Sequence, residues 1–207
     1  MTARPVYPKG GKLASKTGYF HALGIVVEWK KQNGKSVFAG GVVMFRKVRK
    51  IKNEIAIEEA KDLLRNNKRA AFSVNGDGGY PYTIPINFYY DENENKIYFH
   101  SAKKGHKIDS IINNDKVCFT TWNDGYVDDG DWAYHVSSCV VFGRARLVED
   151  CKTTEEKVRK FALKYYPSAE EVEEEIRKGI KGVQLIEIEI EHISGKKYTK
   201  NNNKNCI

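Results

Sequence analysis

The alternation of apolar and polar side chains is clearest towards the C-terminal end of the chain. Over residues 183–193, five aliphatic side chains alternate with Gln184 and three glutamates. Successive side chains of a strand point to opposite faces, so this pattern predicts a strand with one face on the core and the other in water. The same period separates Ile97 and Phe99 from Tyr98 and His100, which predicts a second half-buried strand.

The remaining patterns predict a mainly β fold with added helices. Apolar residues at helical spacing occur at Ile57, Ala60 and Leu64 and again at Ile108, Ile111 and Ile112. The predicted strands are 69–74, 80–90, 96–101, 116–122, 132–149 and 183–193, and the predicted helices are 54–66, 105–114, 153–165 and 168–180. Six strands in hairpin-like succession favour a small antiparallel barrel, closed or split. Strands and helices do not alternate, which excludes a doubly wound α/β sheet.

The net charge of +8 is unevenly distributed along the 207 residues. Residues 1–53 carry 12 Lys and Arg against a single acid, Glu28, so the rest of the chain is mildly acidic. A nucleic-acid-binding domain carries its basic face on the folded body, and this imbalance therefore makes nucleic acid an unlikely partner. We expect a basic N-terminal extension of unknown role over 1–43, a main domain over 44–195 and a disordered tail over 196–207. The Asn33-Gly34 pair predicts a turn, and with it a hairpin formed by residues 21–29 and 36–38 within the extension.

Composition indicates the cellular compartment and argues against a metal site. No apolar run approaches the roughly 20 residues that a membrane span needs, so no membrane partner is expected. The four cysteines are scattered without a CxxC pair, so neither a zinc site nor any other metal site is expected. Unpaired cysteines are typical of a reducing compartment, which predicts a cytoplasmic protein.

A basic loop follows the predicted strand 96–101. Lys103, Lys104 and Lys107 surround Gly105, where a helix is predicted to begin. The start of a helix presents unpaired backbone N–H groups and the positive end of its dipole, so it suits an anion and disfavours nearby cations. The segment is therefore either a phosphate site or a solvated basic turn.

Residues 80–90 place Pro81 and Pro85 inside an apparent strand. Proline cannot donate to a β-ladder, so it marks an edge strand or a distorted one. An exposed backbone edge beside aromatic side chains suits a flat ligand, and an ordinary edge strand is the alternative.

Several blocks together resemble the pyridoxamine 5′-phosphate oxidase-like superfamily, and within it the FMN-binding split-barrel proteins of the nitroimidazole-resistance type. The blocks are residues 80–88, 97–102, 105–109, 114–119, 140–145 and 148–150, preceded by the opening 46–49. They occur in the family's order and spacing and cover roughly residues 44–193. The resemblance implies a six-stranded antiparallel split β-barrel that forms a homodimer with FMN at the interface.

The resemblance also assigns site residues. The implied flavin contacts are Arg69, Thr83, Ile84, Pro85, Ile86, Asn87, His100, Ser101, Lys104, Gly105, Lys107, Trp132 and Ser137. Lys107 would pair with the phosphate, Trp132 and Ser137 would come from the second subunit, and His100 would be catalytic, orienting substrate or supplying a proton. His106 departs from the family, which often has arginine there, and this departure weakens the predicted phosphate site.

The implied function is an FMN-dependent reductase that passes electrons from NAD(P)H to a small acceptor, with nitroaromatic compounds among the candidates. No GxGxxG fingerprint occurs, so NAD(P)H would have to reach an open face of the flavin. A true pyridoxamine 5′-phosphate oxidase needs an arginine cluster near the C-terminus, which residues 195–198 lack. A non-catalytic flavin or haem protein with His100 as the iron ligand remains a further alternative, as does a nucleic-acid-binding role for the basic arm.

Overall fold

The computed structural model describes residues 45–198 in full and, within residues 17–44, the backbone of four short strands with gaps at 23–24, 33–34 and 39–42. The chain divides into two compact units, Met1–Arg46 and Lys47–Ile207. Among the described residues, no helix is long and apolar enough to span a bilayer.

The first unit contains a small antiparallel sheet. Its strands are β1 (Thr17–Ala22), β2 (Ile25–Gln32), β3 (Lys35–Phe38) and β4 (Val43–Met44). Strand β2 pairs with each of the other three, and Trp29 lies opposite Phe38 in the β2–β3 pair. The predicted hairpin is thus present, and its turn at Asn33-Gly34 lies outside the described residues.

The second unit is a curled antiparallel sheet with four helices. Its strands are β5 (Arg69–Asn75), β6 (Pro81–Asn87), β7 (Tyr89–Asp91), β8 (Lys96–Ala102), β9 (Lys116–Trp122), β10 (Tyr126–Val127), β11 (Tyr134–Val148) and β12 (Val183–Tyr198). Its helices are α1 (Ile57–Asn66), α2 (His106–Asn113), α3 (Cys151–Leu163) and α4 (Ala169–Gly179). The strand order is β6-β5-β9-β11-β12-β8-β7, with β10 paired to β11.

The sheet curls around an aromatic core. Strands β5 and β8 are far apart in the strand order, yet the ring centroids of Phe72 and Phe99 lie 4.8 Å apart. The two ends of the sheet therefore face one another, and the predicted split barrel is confirmed. Helix α1 buries Ala60 and Leu64 against the same core. Full burial of one such apolar side chain contributes about 1.5–3 kcal/mol.

A second, smaller core lies on the outer face of β8 and β12, under α3 and α4. It joins Tyr98 and Leu185 from the sheet to Val158, Phe161 and Val172 from the helices. Phe99 belongs to the barrel core and Tyr98 to this outer one, so the predicted alternation of β8 is confirmed. The strand thus has a packed layer on each side, and its C-terminal end leads directly to α2.

The structure corrects two predicted strands. Residues 80–90 form two strands, because the ladder is interrupted at Phe88, whose backbone N–H donates to the Tyr165 hydroxyl at 2.9 Å. This division and the short β10 account for eight strands where six were predicted. Strand β12 continues to Tyr198, past the predicted start of the tail at 196. Residues 199–207 lie outside the described part of the chain.

Two further features concern single residues. Gly143 lies inside the predicted strand 132–149, where a glycine predicts a bend or bulge, and the β11–β12 register indeed shifts between Phe142 and Gly143. A Cβ at Gly143 would lie 2.2 Å from the Glu189 carbonyl oxygen, so only glycine lets the two backbones approach this closely. The helix predicted over 153–165 begins earlier, at Cys151, and Asp150 caps it by accepting a hydrogen bond from the Thr153 N–H at 2.7 Å.

Candidate functional site

The β8–α2 junction supplies an open helix N-terminus. Gly105, just before α2, has a φ of +128°, a conformation that side chains other than glycine rarely adopt. No side chain caps the helix at this position. The carbonyl oxygen of Gly105 accepts from the N–H groups of Ile108 and Asp109, at 2.8 and 3.1 Å, so the N–H groups of the first turn before them point out of the helix. This is the geometry of an anion site.

Lysines surround this helix start. Lys103 and Lys104 are exposed, whereas Lys107 is half-buried with its Nζ 5.8 Å from the centre of the Phe99 ring. Burial lowers the pKa of Lys107. Within the described residues, no carboxylate lies within ion-pair distance of Lys107, so a bound anion would stabilise its charged form.

A ring stack brings β6 to the same place. His106, the first residue of α2, stacks on Tyr82 with ring centroids 4.2 Å apart. Its Nε2 lies 3.6 Å from an Asp77 carboxylate oxygen in the loop before β6. His106, which departs from the family pattern, thus links α2, the helix that follows β8, to β6 at the other end of the sheet.

Strand β6 is at the edge of the sheet and alternates between two environments. Thr83, Pro85 and Asn87 are exposed, whereas Ile84 and Ile86 pack against the barrel core. The side chains of the two isoleucines are thus occupied by the core, and only their backbone can reach a ligand. The Thr83 hydroxyl is 2.8 Å from that of Ser73 on β5.

Arg69 opens β5 and lies opposite Asn87 in the β5–β6 pair. Both side chains are exposed, so the structure places these two predicted contacts side by side at the far end of the edge strand. The exposed side chain of Arg69 is therefore accessible to a ligand.

His100 lies on the outer face of β8, with its ring edge-on to that of Phe161 on α3 at 4.9 Å. Burial of the ring, and to a lesser extent the charge of Lys107, lower the pKa of His100. The imidazole is therefore neutral at neutral pH and can both donate and accept a hydrogen bond. Ser101 is half-buried and points to the opposite face of the strand.

Trp132 and Ser137 flank the start of β11. Trp132 is 80% exposed, and its backbone N–H donates to Asp131 at 2.7 Å. Ser137 is buried, and its N–H donates to the Asn123 side chain at 2.9 Å. Trp132 thus lies at the surface, whereas Ser137 is enclosed by its own chain. Their role in the site stays a prediction.

Sequence reasoning missed the contribution of α3. Phe161 stands 61 positions after His100, and no local pattern joins them. Only the packing of α3 on the outer face of β8 brings the two rings together. Tyr82 lay inside a block identified by resemblance, but nothing in the sequence indicated that it would stack on His106.

The comparisons with known proteins agree with this architecture. A family model for pyridoxamine 5′-phosphate oxidase matches residues 56–197. A comparison with curated proteins finds no match.

Solved structures share the fold at low sequence identity. A candidate 5-nitroimidazole antibiotic resistance protein from Bacteroides thetaiotaomicron is 19% identical, with a TM-score of 0.58 over 70% of this chain and 86% of its own. The flavocytochrome Anf3 from Azotobacter vinelandii is 22% identical, with a TM-score of 0.60 over 75% of this chain and 73% of its own. The FAD- and haem-binding protein from Mycobacterium smegmatis is 16% identical, with a TM-score of 0.56 over 68% and 70%.

The family model extends from the start of α1 almost to the end of β12, and so spans every element that builds the split and its helix N-terminus. By this match, the chain is a member of the pyridoxamine 5′-phosphate oxidase family.

Proposed function

We propose that this protein binds FMN at the split of the barrel and uses it to reduce a small acceptor with electrons from NAD(P)H. The observation that carries the proposal is the start of α2, where an uncapped helix N-terminus meets a half-buried lysine that has no carboxylate partner among the described residues. Such a set of donors fits a phosphate group.

The chain's own residues divide the work of holding the flavin. Lys107 and the first-turn N–H groups of α2 bind the phosphate, with Lys104 and Gly105 beside them. The exposed edge of β6, from Thr83 to Asn87, lies against the ring system, partly through its backbone. Bound FMN supplies the redox chemistry, and neutral His100 orients the acceptor or moves a proton to it.

The names of similar folds support a flavin. One neighbour is named as a flavocytochrome and another as an FAD- and haem-binding protein. The groups at the start of α2 that can bind a phosphate favour a flavin with a terminal phosphate, and we therefore propose FMN. The nitroimidazole-resistance neighbour makes nitroaromatic compounds the first acceptors to test.

We further propose a homodimer with the flavin at its interface. The outer face of β9 and β11 exposes large rings, with Trp122 51% and Tyr134 60% exposed. Tyr198 on the neighbouring β12 is 45% exposed. A face of this kind is typical of a protein–protein interface. In this arrangement Trp132 reaches the flavin of the partner subunit.

Two rival functions are less well supported. The sequence contains no arginine after Arg177, so a C-terminal arginine cluster for pyridoxamine 5′-phosphate is absent. The cavity beside His100 has a volume of about 230 Å³, which holds one small ring system rather than a haem. The basic segment 1–43 stays an extension of unknown role.

The first test is an absorption spectrum of the purified protein with mass analysis of whatever heat releases. We expect a flavin spectrum and released FMN. Lys107→Ala should lower FMN affinity about 10- to 100-fold, because it removes one charge-assisted contact of about 1.5–3 kcal/mol. Lys152→Ala, an exposed lysine on α3, is the matched control and should bind FMN as the parent does.

A colourless protein that does not bind added FMN would overturn the proposal. If FMN is present, oxidation of NAD(P)H in the presence of a nitroaromatic acceptor separates a reductase from a flavin-binding protein without this activity. The expected result is turnover by the parent protein and a lower rate in His100→Ala with FMN content unchanged.

A further inference from the structure

A groove between α3 and α4 opens beside His100. It has a volume of about 230 Å³ and is lined mainly by aliphatic and aromatic side chains. Val158 and Phe161 form one wall, and Val172 and Ile176 form the other. Drug-sized ligands occupy roughly 300–1,000 Å³, so this groove suits a smaller molecule with a single ring.

Three polar side chains line this otherwise apolar groove: His100, Tyr166 and Glu175. His100 is neutral at neutral pH because burial lowers its pKa. Glu175 is therefore the charged member of the lining. Its side chain is 52% exposed, and its carboxylate has one loose partner, Lys178, at 3.6 Å on the same helix.

Lys178 lies closer to Glu174, at 2.6 Å, so Glu175 keeps most of its capacity to accept hydrogen bonds. An apolar groove with a carboxylate at its rim complements a ring that bears a positive charge or an N–H donor. The same carboxylate repels an anion.

We propose that this groove binds the acceptor of the proposed reductase, and that the acceptor is a single-ring aromatic compound with a cationic or N–H donor group directed at Glu175. The inference deepens the proposed function and rests on it, since His100 lines the groove and the proposed function places His100 beside the flavin. Phe161 offers the ligand ring an aromatic contact, and His100 offers the ligand a hydrogen bond.

The test compares three planar probes of the same shape that differ in charge: benzamidine, benzamide and benzoate. Binding is measured by ligand-observed NMR titration of the purified protein with its natural cofactor content. The expected order of affinity is benzamidine, then benzamide, then benzoate. Equal affinity for all three, or none for benzamidine, would overturn the inference.

Two charge variants locate the effect. Glu175→Gln should weaken benzamidine about two- to fivefold, as expected for a partly exposed ion pair, and leave benzamide nearly unchanged. Glu170→Gln removes the same charge from the first turn of α4, outside the groove lining, and should change neither. If both variants weaken benzamidine equally, the effect comes from the overall negative charge of α4 and not from a contact with Glu175. That result would contradict the proposal.

Two glycine variants test the position independently of charge. Gly179 lines the groove, and a Cβ there would meet nothing within 4 Å, so the first atom of a Gly179→Leu side chain is accommodated. The added side chain should weaken binding of benzamidine and benzamide alike. Gly182→Leu is equally unobstructed but lies outside the lining and is the matched control. Retained binding in Gly179→Leu would place the site elsewhere.

The two proposals fail in different ways. A protein that contains FMN but does not bind benzamidine contradicts the groove and leaves the flavin site standing. A protein that binds benzamidine with the expected variant pattern but takes up no FMN contradicts the reductase and retains the groove as a ligand site.

Discussion

Lys107 and Lys157 are both withdrawn from water, and their surroundings shift their pKa values in opposite directions. Burial lowers the pKa of Lys107, which has no carboxylate partner among the described residues. Burial also opposes the charge of Lys157, which is only 3% exposed, but the hydrogen bonds that Lys157 donates to Glu94 and Asp91 outweigh it and raise the pKa. The charge of Lys157 is thus paired within the fold, whereas the described residues supply Lys107 with no counter-ion.

The cluster around Lys157 is closed. Its Nζ donates to Asp91 at 2.9 Å and to Glu94, and the Tyr98 hydroxyl lies 2.6 Å from Glu94 and 2.9 Å from Glu187. Arg146 completes the cluster with a contact to Glu187 at 2.7 Å. These contacts join α3 to the β7–β8 hairpin and β12. The buried charge of Lys157 therefore has a structural role, whereas the role we propose for the half-buried Lys107 is to bind an anion.

The largest expected effect comes from breaking the closed cluster. Lys157→Met keeps the volume but removes the nearer cation of buried Asp91 and leaves it only Lys160, whose Nζ lies 3.7 Å away. The free energy of unfolding should fall by about 3 kcal/mol, the lower end of the range for a broken buried ion pair. Urea denaturation measures the loss. Lys152→Met, an exposed lysine on the same helix, is the control and should change stability little.

A loss no larger than that of Lys152→Met would contradict the structural role of the cluster. The double variant Lys157→Met with Asp91→Asn should recover part of the lost stability, because it no longer leaves a buried charge unpaired.

Acid should break the same cluster. Burial tends to raise the pKa of Asp91 and of Glu187, but their cationic partners outweigh it, so both pKa values lie below their usual range. Each carboxylate therefore stabilises the fold above its unfolded pKa of about 4, and this contribution is lost as pH falls through the folded value.

Melting temperature should accordingly be level from about pH 7 to 5 and fall below about pH 4. Asp91→Asn lacks one of these carboxylates and should show a shallower fall over the same range. An equally steep fall in the variant would show that Asp91 does not contribute to the acid transition.

The smallest effect on stability is expected at Lys107. In protein stripped of flavin, Lys107→Met should leave the free energy of unfolding unchanged or raise it by less than about 1 kcal/mol. It removes a half-buried charge to which no carboxylate of the described segments is paired. At the same concentration, added FMN should raise the melting temperature of the parent protein more than that of the variant, because the variant binds it less tightly. A strong destabilisation of the flavin-free variant would instead assign Lys107 a structural role like that of Lys157.

Local sequence signals were sufficient for several elements. The β-branched and apolar run at 116–122 predicted β9 with the observed ends, and Gly143 predicted the bulge of β11. The alternation of Ile97 to His100 predicted the two faces of β8. In each case the side chain and its immediate neighbours determine the backbone conformation.

The sequence patterns gave wrong predictions where a partner that is distant in the sequence determines the environment of a residue. Glu187 was assigned to the wet face of the last strand by its alternation, yet it is 2% exposed. Its buried carboxylate is stabilised by ion pairs with Arg146 and Lys96 and by a hydrogen bond from the Tyr98 hydroxyl. These partners come from β11 and β8, which flank β12. Likewise, the predicted strand 80–90 is divided at Phe88 by Tyr165, a residue 77 positions away.

The sequence by itself determined the strands and helices, the basic loop before α2 and the glycine that opens its N-terminus, because these depend on side-chain periodicity and local backbone preference. Only the tertiary structure decided which charges are used within the fold. It paired Lys157 with Asp91 and left Lys107 beside Phe99, and it brought Phe161 to His100. Burial and electrostatic pairing depend on groups that are distant in the sequence, and packing alone determines which of them meet.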